Sequence, residues 1–445
     1  MKKLLVAMVL VILAFLFSCE SMIDSNNDVN ENGHNKVSEG FNFNTTQGID
    51  VVVKTLDDQG QPVSHVKFDV LMNGNVISSG MTKSDGQFKT YVDCPTSTSA
   101  LEIFTKNPNY YGKQKVAIIN DQALFTYDGY VQTEESDNPM TKLAKTSSSM
   151  ELDPDGDEDG DGVLNKNDDY PEDADKAWNN KVSGTLAFED LWPKLGDYDF
   201  NDLVVNYELN RITKYDDSKV YDPVTYLEGS FVIVASGAAY DVGFGLELSR
   251  LPKDNAEIVV NGTTLPDGVD KSLEDGQDSP VIILSNSIND DLFGSNKKVN
   301  TYSNRAYVNP SLDTLKVEFK INPNAYYTLS TLGTPPYNPF IIVPGTGSDG
   351  KRLEVHMIYH APTTLGTQSK WQSQDDDSQP DFGIYYRDLY GLPWAINLPE
   401  EFKYPEEKTD IRDAYDDFWK WFSTDGQEYK EWYKSPNNSE IYTAP

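Results

Sequence analysis

The sequence predicts an all-β protein: an N-terminal β-sandwich module, then a larger antiparallel β-sandwich or jelly-roll domain with a C-terminal helix. Three observations predict it. Apolar residues recur with period two in many short runs, such as Val242, Phe244, Leu246 and Leu248, which places them on one face of a strand. Turn formers separate these runs, with 30 Gly and 24 Pro in 445 residues. Apolar residues make up 38% and aromatics 12% of the chain, too many for a disordered acidic polymer. Lys and Arg number 37 against 71 Asp and Glu, a formal charge of −34. That excludes a generic nucleic-acid binder, which needs cations to displace phosphate counterions.

The N-terminus reads as an address over residues 1–18. Lys2 and Lys3 form a positive n-region, and Leu4 to Phe17 is an apolar stretch. No second long apolar run follows it. The stretch ends Leu16-Phe17-Ser18-Cys19, which resembles a bacterial lipobox. The resemblance implies cleavage after Ser18, acylation of Cys19 and attachment to outer-membrane lipid, since several acyl chains anchor stably. An uncleaved anchor or an ordinary signal peptide with a chance cysteine is the alternative. Glu20 and Asp24, close behind Cys19, resemble surface-export signals of some Gram-negative lipoproteins, implying a surface-exposed location. Cys94 is the other cysteine and is expected to be a small buried residue. Residues 19–45 are rich in Asn, Ser and acids and read as a disordered tether.

Residues 46–130 show short strands and tight turns. Val66, Phe68, Val70 and Met72 share one strand face, and Asn73-Gly74 is a strong hairpin signal. Asp57 to Gly60 and Ser84 to Gln87 are further turns. The run resembles the carboxypeptidase-regulatory, transthyretin-like β-sandwich module, which implies a scaffold without chemistry. Residues 131–150 are polar and read as a linker.

Residues 151–178 carry the strongest chemical signal. Between 151 and 175 lie twelve acids and one lysine. Asp157, Asp159 and Asp161 take positions 1, 3 and 5 of a calcium loop, and Gly162 the sharp turn at 6. Val163 can offer its carbonyl at 7, Asn165 stands at 9 and Asp168 at 12. Asp153 and Asp155 could serve a second ion in an overlapping register. No amphipathic helices flank the loop, so it is not an EF-hand. It resembles the thrombospondin type-3 calcium repeats of extracellular proteins. The shorter Asp at position 12 suits weak binding, roughly 10⁻⁴–10⁻³ M. A bare, solvated acidic linker is the alternative.

Residues 180–435 form the large domain. Leu315, Val317, Phe319 and Ile321 alternate with Lys316, Glu318 and Lys320. Leu353, Val355, Met357 and Tyr359 alternate with Arg352, Glu354, His356 and Ile358. Such patterns predict antiparallel sheets with one wet face. Near the end, Ile411, Tyr415, Phe418 and Phe422 recur at helical spacing, and Asp425-Gly426 stops the helix. That aromatic stripe is expected to be core; a ligand-binding patch is the alternative.

A second oxygen-rich constellation lies in residues 184–209. Glu189, Asp190, Asp197, Asp199, Asn201 and Asp202 fall within fourteen positions. In a straight strand, residues i and i+2 stand about 6.6 Å apart. They could share an ion only if the chain bends, and Gly196 is the expected place for the bend. The alternative is a hydrogen-bonded corner in which Asp and Asn accept turn amides. The segment GTLAFEDLWPKLGDYDFNDLVVNYEL, directly after the acidic loop, resembles the signature of LruC-domain bacterial lipoproteins, and the resemblance extends over residues 150–430. It implies a secreted or surface lipoprotein and no enzyme class.

The function expected from these features is a calcium-stabilised, lipid-anchored envelope protein, non-enzymatic, binding a glycan or protein at the cell surface. Two rivals stand beside it. One is a structural or fimbria-associated component without soluble ligand. The other is a glycoside hydrolase using Glu189 with Asp199 or Asp202, a reaction that needs two carboxyls about 5–9.5 Å apart. His356 and His360 form H-x3-H on a strand, with no third ligand evident for zinc.

Overall fold

A computed structural model describes residues 37–128 and 152–445, apart from 39, 108, 111, 239, 295–297 and 311–313. The signal segment, Cys19, the first part of the tether and the linker at 131–150 lie outside the described residues.

Seven strands build the N-terminal sandwich: β1 (Thr46–Leu56), β2 (Lys67–Met72), β3 (Asn75–Met81), β4 (Gln87–Pro95), β5 (Ala100–Thr105), β6 (Gly112–Ala117) and β7 (Gln122–Asp128). They pair as β4-β1-β7 and β3-β2-β5-β6. All pairs are antiparallel except β1 with β7. Ile49, Val51 and Val53 of β1 meet Phe68 and Val70 of β2 in the core between the sheets. Asn73 and Gly74 are both left-handed, at φ 52° and 81°, as a two-residue hairpin loop requires. Cys94 is buried there without a disulfide, and burial pushes its thiol up to about 11.

The large domain packs a six-stranded sheet on a four-stranded one. The first is ordered β12-β14-β10-β9-β8-β17, from β8 (Lys181–Phe188), β9 (Leu203–Thr213), β10 (Val224–Ala235), β12 (Ala256–Ile258), β14 (Thr314–Ile321) and β17 (Ala395–Leu398). The second is β13-β11-β15-β16, from β11 (Gly243–Glu247), β13 (Val281–Ser285), β15 (Asn338–Thr346) and β16 (Arg352–His356). Phe188, Phe231, Phe244, Val317 and Val355 fill the space between them. A short helix, α1 (Ile288–Phe293), follows β13.

The expected wet face is kept on β14, where Lys316 is exposed and Glu318 and Lys320 are half-buried, and is covered elsewhere. Ala187, Val204, Ala235 and Ile396, on the far side of the six-stranded sheet, lie under a third, aromatic layer. That layer holds Phe418, Trp421, Phe422 and Trp432 from the C-terminal end. Its helix is split into α2 (Ile411–Ala414) and α3 (Asp416–Ser423), because Tyr415 leaves helical geometry at φ −140°, ψ 90°. Phe41 and Phe43 join the same layer, edge-on to Trp421 and Phe422. Residues 40–45 are thus packed chain and not tether, since the two buried phenyl rings outweigh the polar composition around them. On β16, Glu354 and His356 are completely buried. Both ring nitrogens of His356 are engaged, with Glu354 at 3.0 Å and Asn338 at 2.7 Å, while Arg352 pairs with Glu354 at 2.6 Å.

The two sandwiches meet through desolvated polar contacts. Arg211 of β9 pairs with Asp93 of β4 at 2.6 Å, both buried. Lys83 pairs with Asp222 at 2.8 Å, and the Ser78 hydroxyl donates to Asn180 Oδ1 at 2.5 Å. Removing one partner of such a pair costs about 3–5 kcal/mol, because the other is left buried and charged.

Candidate metal centres

The acidic loop sits at this seam. Val163 is buried with Met81, Ala177, Trp178 and Tyr215, so the loop has an apolar anchor touching both sandwiches. Around that anchor the carboxylates cap their own backbone. Asp157 accepts from the amides of Gly160 and Gly162, Asp159 from Asp161, Asp161 from Val163, and Asp168 from Tyr170. Gly162 takes φ +94°, the left-handed turn expected at position 6. The result brings one carboxylate oxygen from each of Asp157, Asp159 and Asp161 within 4.8 Å of the others. Asp168 stands outside that trio, but Asp161 and Asp159 act on it electrostatically. Asn165 is used differently from expectation. Its Oδ1 accepts from the Glu158 amide and its Nδ2 donates to the Asp153 carbonyl at 2.7 Å, so it closes the loop. Asp155 is paired through Oδ1 with Lys166, and Asp153 accepts from the Asp155 amide at 3.1 Å.

The second cluster is built by a bend between β8 and β9. Gly196 is not the residue that bends. Tyr198 and Phe200 are left-handed, at φ 57° and 49°, each costing roughly 1–2 kcal/mol for a residue with a Cβ. Their rings are buried in the aromatic layer, and the Tyr198 hydroxyl donates to Asp388. Ring burial therefore offsets the backbone cost, and the Asp residues on either side are turned together. Glu189, Asp197 and Asp199 each bring a carboxylate oxygen within 4.8 Å of the others. Gly196 instead makes room: a Cβ there would lie 1.8 Å from Glu189 Oε2.

The other expected residues surround this trio. Asp202 accepts from the Asp190 amide at 2.7 Å, and Asp190 accepts from the Tyr240 amide at 3.2 Å. Asn201 donates to the Pro405 carbonyl at 3.1 Å. Both halves of the earlier alternative are therefore present, a turn-amide corner and a convergent carboxylate cluster. Sequence reasoning missed Glu407, which pairs with Lys298 and acts on Asp199 electrostatically. It also missed the Lys408 amide, which donates to Asp199 at 2.7 Å. More than two hundred residues separate them from Asp199, and no local spacing signals that.

The electrostatics are those of crowded, desolvated anions. Burial, then Asp202, Asp199 and Asp197, hold the Glu189 carboxyl well above the usual range. Burial, then Asp190 and Asp199, do the same to Asp202. Asp199 is pushed up to about 7 by burial and Asp197. In the loop, burial raises Asp161 to about 6 and Asp168 to about 7. Buried carboxylate oxygens on Asp159, Asp161, Asp168, Glu189 and Glu407 accept no hydrogen bond. Such oxygens are costly unless neutralised. The donors are all oxygen, which suits a hard divalent cation such as calcium and not a thiolate or imidazole metal.

Comparisons with known proteins match two stretches of the chain. Residues 116–210, which include both clusters, match a family described as a domain of unknown function, DUF4114. Residues 222–433, which supply Glu407 and the C-terminal part of the aromatic layer, match another domain of unknown function, DUF4842. No curated protein matches. Among solved structures, a Bacteroides ovatus protein described as a lipoprotein is 17% identical, with a TM-score of 0.47 over 86% of this chain and 95% of that one. The major pilin subunit of Bacillus cereus is 7% identical, with a TM-score of 0.16 over 70% of this chain and 67% of that one. The major pilin SpaD of Corynebacterium diphtheriae is 9% identical, with a TM-score of 0.12 over 70% of this chain and 65% of that one.

Proposed function

We propose that the protein is a calcium-stabilised lipoprotein of the outer membrane, anchored through acylated Cys19 and acting without catalysis in binding at the cell surface. The observation that carries the calcium reading is the pair of carboxylate trios, Asp157–Asp159–Asp161 and Glu189–Asp197–Asp199. Each has buried, unbonded carboxylate oxygen in or beside it. Calcium would supply charge neutralisation. In the loop it would be held by Asp157, Asp159, Asp161 and Asp168, and in the corner by Glu189, Asp197 and Asp199, with Glu407 and Asp202 nearby. The chain's own part is structural. The loop ties the two sandwiches through Val163, and the corner fixes the entry of β9, a central strand. The lipobox and the LruC-type signature support the envelope location; a glycan or protein is the ligand class.

Fractionation tests the anchor. Wild-type protein should incorporate labelled fatty acid and sediment with outer membrane, and Cys19→Ala should do neither. Acylation of the Cys19→Ala protein would overturn the lipobox reading.

A further inference from the structure

One cleft differs from the rest of this acidic molecule. It has a volume of about 520 Å³ and lies between the start of β1 in the N-terminal sandwich and three loops of the large domain. Its wall is made by 21 residues, none of them Asp or Glu, where the chain's composition would place about three. Four other clefts each carry at least one Asp or Glu. Clefts at domain junctions are common ligand sites, and this volume suits a small molecule.

Thr45, Gln47 and Asn397 of the wall are already hydrogen-bonded, but other polar groups in the cleft are available. Arg250 is exposed and makes no hydrogen bond or ion pair among the described residues. Its stem lies over Gly333, where a Cβ would come within 3.3 Å of Arg250 Cδ. Elsewhere in the protein, Arg211, Arg352, Arg387 and Arg412 are all paired with carboxylates. The hydroxyls of Thr46, Ser249 and Thr334 make no side-chain hydrogen bond among the described residues. His360 lines the cleft too. Burial and the nearby His356 lower it to about 4, so it is neutral at physiological pH and Arg250 is the only cation present. Two wall residues, Tyr337 and Tyr359, hold left-handed backbone at φ 70° and 67°, a strain that tends to gather at functional sites. The Tyr359 hydroxyl donates to the Phe41 carbonyl at 2.6 Å, bracing one wall.

We infer that this cleft binds an acidic saccharide, with Arg250 on the sugar carboxylate and the surrounding hydroxyls on the ring hydroxyls. One guanidinium without competing carboxylates selects one negative charge and can meet it with two parallel hydrogen bonds. Neutral hydroxyl-bearing side chains around it suit an uncharged polyhydroxyl body and not a second charge. The inference gives a ligand class to the surface-binding reading above and rests on it, but it does not depend on calcium at either carboxylate cluster.

The test is saturation-transfer NMR on a soluble form lacking the acylated Cys19, residues 20–445, in millimolar calcium, with D-glucuronate and D-glucose as probes. Glucuronate should bind, with glucose at least about fivefold weaker. Arg250→Gln should weaken glucuronate about tenfold, the usual loss for one charge-assisted contact. Because Arg250 is exposed and unpaired, that variant should keep the wild-type thermal midpoint. No binding of glucuronate, or equal binding of the two sugars, would overturn the inference. So would Arg250-dependent binding of N-acetyl-alanyl-alanine in place of the sugar, which would assign the cleft to a peptide carboxylate. If glucuronate binds as expected while calcium leaves the thermal midpoint unchanged, the cleft stands and the calcium reading falls.

Discussion

Replacing Glu189 by Gln should stabilise the calcium-free protein and abolish the response of the corner to calcium. Glu189 Oε1 accepts from the Phe200 amide at 2.7 Å, a contact that Gln preserves. Glu189 Oε2 is buried and unbonded, and the Gln amide would put a donor in its place. Like charges 4.8 Å apart, the limit within which the trio lies, repel by about 3.5 kcal/mol at an effective dielectric constant of about 20. Proton uptake already relieves part of this in the wild type, so a net gain of about 2–3 kcal/mol is expected in EDTA. For a domain of this size that is a rise in thermal midpoint of roughly 5–10 °C. In calcium the gap narrows without reversing. A site with Kd near 10⁻⁴ M adds about 1.4 kcal/mol at tenfold excess of metal, and the variant loses this increment. Thermal melts followed by circular dichroism, in EDTA and in calcium, measure both effects. A lower midpoint for Glu189→Gln in EDTA, with the calcium increment intact, would refute the metal site and leave only the hydrogen-bonded corner.

The same physics sets the pH dependence of the metal-free protein. Asp199 titrates near 7 when folded and near 3.9 when unfolded. Its contribution is thus fully present below about pH 3.9 and is lost as pH rises through about 7. Between about pH 5 and 7.5 the loss is about 2.5 kcal/mol from Asp199 alone. Melts in EDTA should therefore show a lower midpoint at the higher pH, and calcium should remove that trend; a rising midpoint in EDTA would contradict it. Phe41→Ala, at a site 2% exposed and in edge contact with Phe43, Trp421 and Phe422, should cost about 3–5 kcal/mol. Urea titration would reveal it, and a change below about 1 kcal/mol would place residues 40–45 back in the tether.

The all-β class was legible because period-two patterning survives wherever at least one strand face is buried. Turn chemistry was legible too, as Asn73-Gly74 illustrates, since it depends on two adjacent residues. The acidic loop could be read for the same reason: its donors lie within twelve positions, and Asp157, Asp159 and Asp161 do converge. What escaped depends on distant chain. Phe41 and Phe43 sit among Asn and Thr, and only Trp421 and Phe422, nearly four hundred residues on, explain their burial. The bend at the second cluster was assigned to Gly196 from its intrinsic freedom. The structure puts it at Tyr198 and Phe200, where ring burial overrides backbone preference. Glu354 and His356 read as a wet strand face because their partners, Thr363 and Asn338, lie outside their own strand, where period-two patterning carries no signal of them. Asn165 shows the limit of spacing even locally, since its position fits a ligand while its side chain closes the loop.

The central claim is that two carboxylate clusters hold calcium, and calorimetric calcium titration of the mature chain tests it most directly. Two binding events are expected in the wild type. Asp159→Asn with Asp161→Asn should remove one of them and Glu189→Gln the other, each leaving its counterpart intact. Absence of calcium binding in the wild type, or titrations that neither variant changes, would contradict the account.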